Sequence, residues 1–229
     1  MLAIYRKIAK SLDSLFYKYS APVLAARIIR HYFSLPGAKS LNLGCGNNLL
    51  PDWLNCDATP VPGAVFLDCT KTFPFPSGSF DHVFAEHLIE HMGLPEMEAF
   101  LQECHRVLKP GGTIRLVTPN LDTFMQMIIT PLSEPSQKYM EWYKTRHPDG
   151  LPASPVRAIN SIFHEHGHKF IMNESFMSQL LAHAGFVDTR VYATGKSRLK
   201  ALCGIDKHGT VIGDEINQIE SLAMEATRP

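Results

Sequence analysis

Three imidazoles crowd into five residues at His164-Glu165-His166-Gly167-His168, the densest run of polar, titratable side chains in the sequence. On an extended segment alternate residues face one way, so all three would line one side of a site. A histidine titrates near working pH, which suits it to taking a proton from a hydroxyl. His166 is the first candidate for such a base and His164 the second, while His168 reads as structural. Surface histidines and a metal site are the other readings of this cluster. A second group, His87-Leu88-Ile89-Glu90-His91, spells H-x-x-E-H, which on a helix would place His87 and His91 on one face, as in the inverted zinc-protease motif. A strand that ends at Glu86 argues against that helix, and no metal is assigned to either group.

A third constellation is spread along the chain. Ser40-Leu41-Asn42-Leu43 runs straight into Gly44-Cys45-Gly46, and glycines there let backbone pass close to a ligand. Asp57 closes a second apolar run, thirteen residues past Gly44, where a carboxylate can accept both hydroxyls of a ribose. Asp68 closes a third run, and either its side chain or the Cys69 backbone can read an adenine edge. Glu86 closes a fourth, next to the reacting end of such a ligand. Leu49 stands where G-x-G-x-x-G would need its third glycine, and no Gly-Lys-Ser/Thr follows. Phosphate-bearing cofactors are therefore disfavoured, and a nucleoside without phosphates is favoured.

The elements that must position these residues read as short buried strands. Candidates are 40–43, 53–56, 64–67, 80–85 and 113–117, with a helix between the last two that carries Met97, Phe100, Leu101, Cys104, Val107 and Leu108 at helical spacing. Lys109-Pro110-Gly111-Gly112 stops it. Strands alternating with helices predict a parallel, doubly wound sheet whose ligands bind at the strands' carboxyl ends. The short Gly44–Asp57 spacing predicts a stunted first helix ending near Pro51. Prolines 131, 135, 148, 152 and 155 predict an irregular insertion from about 120 to 170 with one or two helices. Asn173 and Gly185 bracket a further helix, and 186–192 reads as a last strand; beyond Gly195 the pattern is poor. Two helices are predicted before residue 36, one on Tyr5, Ile8, Leu12, Leu15 and Phe16, the other on Leu24, Ile28 and Phe33. They form an N-terminal cap (1–36), with a substrate lid or a membrane-surface helix as alternatives, ahead of one domain from 37 to 229.

Composition narrows the function classes. The chain has 229 residues, with 22 Lys and Arg against 22 Asp and Glu, so its formal net charge is zero. That lacks the basic surplus expected of a nucleic-acid or anionic-membrane binder. Five scattered cysteines without a C-x-x-C pair point to a reducing compartment, and no apolar stretch approaches a membrane span, so a cytoplasmic location is expected.

Four ordered motifs carry a family resemblance: Leu41-Asn42-Leu43-Gly44-Cys45-Gly46; Pro74-Phe75 with Ser79-Phe80-Asp81 and Glu86-His87-Leu88-Ile89-Glu90-His91; Glu103 to Gly112; and His168-Lys169-Phe170 with Glu174 to Phe186. Together they resemble the class I S-adenosylmethionine-dependent methyltransferases, in particular the small-molecule group with a "type 11" methyltransferase domain. The resemblance spans about 39–120 and 168–192. It implies a Rossmann-like fold with a lid-like insertion, and S-adenosylmethionine as cofactor. It further implies the turn from Leu43 through Gly44, Cys45 and Gly46 to Asn47 beside the methionine moiety, Asp57 on the ribose, Asp68 and Cys69 at the adenine, and Glu86 with His87 lining the crevice. The Asp/Asn-Pro-Pro-Tyr signature of enzymes that methylate nucleic-acid bases is absent, with Thr118-Pro119-Asn120 in its place. A small-molecule or sugar acceptor is therefore expected, through a hydroxyl. A cofactor-binding scaffold without turnover, or a metal-dependent hydrolase built on 164–168, are the remaining readings.

Overall fold

Buried side chains that alternate between apolar and polar along the central strands divide the interior into an apolar side and a polar one. A computed structural model describes residues 24–229. The first predicted N-terminal helix lies outside these residues. The described chain runs α1 (24–34), β1 (Ser40–Leu43), β2 (Leu54–Asp57), β3 (Val65–Phe66), β4 (Phe80–Glu86), α2 (Leu94–Val107) and β5 (Leu108–Pro119). It continues with α3 (Leu121–Ile129), α4 (Glu134–Arg146), α5 (Pro155–His164), α6 (Glu174–His183), β6 (Val187–Tyr192), α7 (Gly209–Ile212), α8 (Asp214–Glu220) and β7 (Ser221–Thr227). The strands form one sheet in the order β3-β2-β1-β4-β5-β7-β6. β1 to β5 are parallel, and β7 is antiparallel to both its neighbours.

One face of the sheet carries Leu41, Leu43, Leu54, Cys56, Val83, Ala85, Ile114 and Leu116, all in a single apolar cluster with residues of α2 and α6. α2 presents Met97, Phe100, Leu101, Cys104 and Val107 to it at the predicted spacing, but Leu108, expected on the helix, already opens β5, which also takes in Lys109 to Gly112. The Asn173 side chain caps α6 by accepting from the Phe176 N–H, and Gly185 closes that helix with a φ of +93°. α1 lies on the same face through the predicted Phe33, but with Ala25, Ile29 and Tyr32 in place of the predicted Leu24 and Ile28, which are exposed. Tyr32 decides the rotation: its hydroxyl donates to the Ser40 carbonyl and accepts from the Ser40 N–H, tying the helix to the start of β1.

The opposite face is more polar. Asn42, Asn55 and Arg115 are buried there beside Phe84 and Val117. No helix forms between β1 and β2, so the predicted stunted helix is replaced by turns. The Asn55 side chain supplies the missing bonds: it accepts from the Leu50 N–H and the Asn42 amide and donates to the Leu50 and Trp53 carbonyls. Leu202 and Ile205 cover this face from the chain's C-terminal part. Arg115 holds that segment down. Its guanidinium is fully buried, paired with Asp206 and Glu225, and bonded to the Lys196 carbonyl.

His82, on β4, has its Nδ1 buried without a partner among the described residues. Burial pushes the imidazole below its ordinary pKa, against the opposing pull of Asp81. A depressed histidine leaves the unfolded chain binding more protons as pH falls, so its contribution is intact above about pH 6.5 and erodes below it. We expect His82→Phe to lose less in melting temperature than the wild type between about pH 7.5 and 5.5; equal losses would discount this residue.

The insertion is more regular than expected. It holds three helices, and Pro135 and Pro155, counted as breakers in the sequence, sit in the first turns of α4 and α5, where no N–H is needed. These helices pack their own cluster on Phe124, Met127, Tyr139, Tyr143, Ala158 and Ile162. The tail beyond Gly195 is ordered as well, adding β7 beyond the strand that the sequence reading takes as last. Among the described residues no helix is long and apolar enough to cross a membrane.

Candidate active site

At the tip of β1 the chain turns through Gly44 and Gly46, with φ of +63° and +47°. Asp57, at the tip of β2, reaches this turn: its Oδ2 accepts from the Gly46 N–H at 2.8 Å, while Oδ1 accepts from the Thr59 N–H and hydroxyl. A side chain added at Gly46 would meet nothing within 4 Å, so the space above the turn is open. Gly44 is different. A Cβ there would lie 2.8 Å from Leu88, just past the β4 tip. Gly44→Ala is therefore expected to cost about 1–3 kcal/mol, through left-handed strain and displacement of Leu88; urea unfolding checks this, and a midpoint equal to wild type would refute it.

Beyond β3, Asp68 accepts from the N–H and hydroxyl of Thr70 through Oδ1, and these bonds hold its carboxyl below the usual range. Cys69 is buried with its thiol beside the Gly44 backbone; burial, then Asp68 and Asp57, push it up to about 12. Cys45 is pushed up to about 11 by burial and Asp57. Both stay protonated near neutral pH, so they shape the turn and do not act as nucleophiles. The structure thus gathers Gly44, Cys45, Gly46, Asp57, Asp68 and Cys69 at adjacent strand tips, with Leu43 buried below them and Asn47 exposed on the turn.

Glu86 serves a purpose that the sequence did not show. Its two oxygens accept the N–H groups of Lys207 and His208, at 2.9 and 3.0 Å, and Asn48 donates to the Ile205 carbonyl. The C-terminal segment is thereby fastened across the tips of β1 and β4. His87 follows with φ +49°, a backbone conformation uncommon for a residue with a side chain. Its Nδ1 lies 3.0 Å from the fully buried Glu90, whose other oxygen accepts from Thr118. Burial opposes a charged His87, but Glu90 with Glu220 and Glu86 outweighs it and raises the imidazole above its ordinary pKa. The His208 ring sits 3.9 Å from that of His87, its Nε2 3.4 Å from Glu220. Neither His208 nor Glu220 carries a sequence signal, since both stand more than 100 residues from His87.

These groups border a cavity of about 250 Å³ beyond the tips of β4 and β5. Its wall includes His87, Pro119, Tyr139, Trp142, Tyr143, His166 and His168, so the insertion supplies most of it. The buried Trp142 Nε1 has no partner among the described residues. The expected extended run of three histidines is not formed. His164 ends α5, exposed and outside the cavity wall, and Gly167 turns the chain with φ +74°. His166 does reach the cavity; His168 does too, with Nδ1 held by the Ile162 carbonyl and its pKa lowered by burial.

Residues 58–116 match a family model described as a methyltransferase domain. A probable S-adenosylmethionine-dependent methyltransferase of Mycolicibacterium smegmatis is 42% identical over 60 residues, 26% of this chain and 23% of that one. The mitochondrial ubiquinone biosynthesis O-methyltransferase of Homo sapiens is 31% identical over 112 residues, 38% and 30% of the two chains. This chain spans less than half the length of the curated relatives it matches. The solved structure of a SAM-dependent methyltransferase from Thermotoga maritima superposes with a TM-score of 0.51 at 15% identity, covering 99% of both chains. Residues 58–116 thus match a methyltransferase domain, and the sheet shares the fold of the Thermotoga maritima SAM-dependent methyltransferase.

Proposed function

We propose that this chain transfers a methyl group from S-adenosylmethionine to a hydroxyl of a small molecule or glycan held in the cavity beyond β4 and β5. The observation that carries the reading is order along the sheet: the glycine turn, with open space above it, follows β1, and the aromatic cavity lies beyond its neighbour β4 and beyond β5, with His87, the residue after β4, on its wall. Three features fit the cofactor. Bare backbone at Gly46 admits a close approach, Asp57 offers a carboxylate for ribose hydroxyls, and the turn lacks the phosphate-binding signatures. When bound, S-adenosylmethionine brings an electrophilic methyl on a sulfonium whose leaving group is neutral.

The chain's own work is then to orient the acceptor and handle one proton. Aligning an acceptor oxygen at ~3–3.5 Å from the methyl supplies much of the acceleration. Tyr139, Trp142 and Tyr143 offer flat apolar walls, and the unpartnered Trp142 N–H offers a donor for an acceptor oxygen. His166, on the wall, is the proposed base, with His164 displaced from that role by its position. The human relative's name, an O-methyltransferase, supports a hydroxyl target. Zero net charge and the absent base-methylation signature argue against nucleic acid. Five unpaired cysteines, four of them buried, accord with a cytoplasmic setting.

The test is a screen of metabolite and glycan extracts with methyl-labelled cofactor, beside calorimetric titration of cofactor into the folded protein. Label in a small-molecule product, reduced in His166→Ala, is expected. Cofactor binding without any labelled product would instead support a non-catalytic binding role, and no binding at all would overturn the reading.

A further inference from the structure

We propose that His87, His208 and Glu220 form a binding site for one divalent transition-metal ion of the zinc class, on the wall of the cavity. Their ligand atoms lie within 4.8 Å of one another. Two imidazoles and one carboxylate make a donor set that zinc and its neighbours favour over calcium or magnesium.

The surroundings are those of a held metal site. His87 Nδ1 is taken by Glu90, itself fixed by Thr118, which leaves Nε2, 3.5 Å from the Ser221 hydroxyl, as the nitrogen open to a metal. That carboxylate-to-imidazole contact is the usual orienting partner of a metal-bound histidine. Glu220 presents Oε1 toward His208 while Tyr139 donates to Oε2 at 2.8 Å, so the carboxylate is oriented too. His208 is positioned through its backbone, which Glu86 grips.

Charge supplies a separate argument. Glu90 and Glu220 are both buried, 0% and 5% exposed. Among the described residues neither pairs with a lysine or arginine; beside the hydroxyls of Thr118 and Tyr139, their partners are imidazoles. Buried carboxylates call for compensation by a cation or a metal. A dication between the two imidazoles and Glu220 provides it while leaving both rings neutral. The neighbouring trio of Glu90, His91 and His168 is less suited, because Glu90 already binds His87 and Thr118. All three proposed ligands line the cavity, so the ion keeps a position open toward it. On the reading of that cavity as the acceptor site, this position takes the acceptor oxygen and makes its proton easier to remove.

Cobalt(II) and zinc titrations of the full chain test this without any turnover. One equivalent of cobalt should produce the intense visible band of a four-coordinate nitrogen–oxygen site, and zinc should displace it. His208→Ala and Glu220→Gln should each weaken binding by about 100-fold, Glu90→Gln by about 10–100-fold, and His91→Ala should leave it at wild-type strength. Circular dichroism reports folding, and Glu220→Gln, which keeps an oxygen for Tyr139, stands in if His208→Ala fails to fold. No cobalt band with no zinc heat, or wild-type affinity in folded His208→Ala or Glu220→Gln, would overturn the site. Calorimetric cofactor binding is read separately: metal bound without cofactor bound would overturn the methyl-transfer reading and leave the metal site standing.

Discussion

Arg115→Met should destabilise the protein by about 3–5 kcal/mol in urea unfolding, the largest effect expected of any single substitution outside the apolar core. The guanidinium has no solvent exposure, and the carboxylates it joins, Asp206 and Glu225, are 1% and 6% exposed. Removing it strands two buried negative charges that nothing else in the network neutralises. The damage should also spread. Asp206 immediately precedes the Lys207 and His208 backbone that Glu86 grips, and it accepts from the Gly195 N–H at 2.6 Å. Any protein that stays folded should therefore show weaker cobalt binding at His208. Replacing Asp206 and Glu225 by leucine in the Arg115→Met background should recover part of the lost stability, because an ion cluster is dearer to break than to replace. A midpoint within error of wild type for the single variant would show that the network contributes little.

Asp57→Ala should weaken S-adenosylmethionine binding by about 1.5–3 kcal/mol, roughly ten- to hundredfold in Kd by calorimetry, with the fold retained. Two contributions combine. On the proposed reading a ribose loses a charged acceptor, and the glycine turn loses the bond from the Gly46 N–H to Asp57. Asp57→Asn separates them. It keeps an oxygen for Gly46 but loses the charge, so it should fall between wild type and alanine. Unchanged affinity in Asp57→Ala would remove the residue from the site.

Most of the parallel part of the sheet was legible because β1 to β4 are short, largely buried and run into glycine or acid, features set by local sequence. α2 and α6 were legible for the same reason, through helical spacing and caps. β7 was not: Ser221-Leu-Ala-Met-Glu-Ala-Thr is built of helix-favouring residues, and only pairing with Arg115 and its neighbours over a hundred positions away makes it a strand. The insertion's helices were masked by prolines that start them. At the site, the glycine turn and the acids could be ordered along the chain, but Glu86's partners could not, since they come from the poorly patterned tail. His208 and Glu220 were hidden by the same distance, and the histidine run at 164–168 was misjudged because α5 reaches further than its sequence advertises.

The place of β7 inside the sheet also dictates an order of events when the chain first folds. β5 and β6 are not neighbours; each pairs with β7, and the register joins Thr113 to Thr227. Closing so large a loop is slow, and until it closes β5 offers a bare hydrogen-bonding edge. A ribosome that has not yet released residues 221–227 holds a half-built sheet with a sticky margin. Truncation just before Ser221 should then yield aggregates, not a smaller working protein.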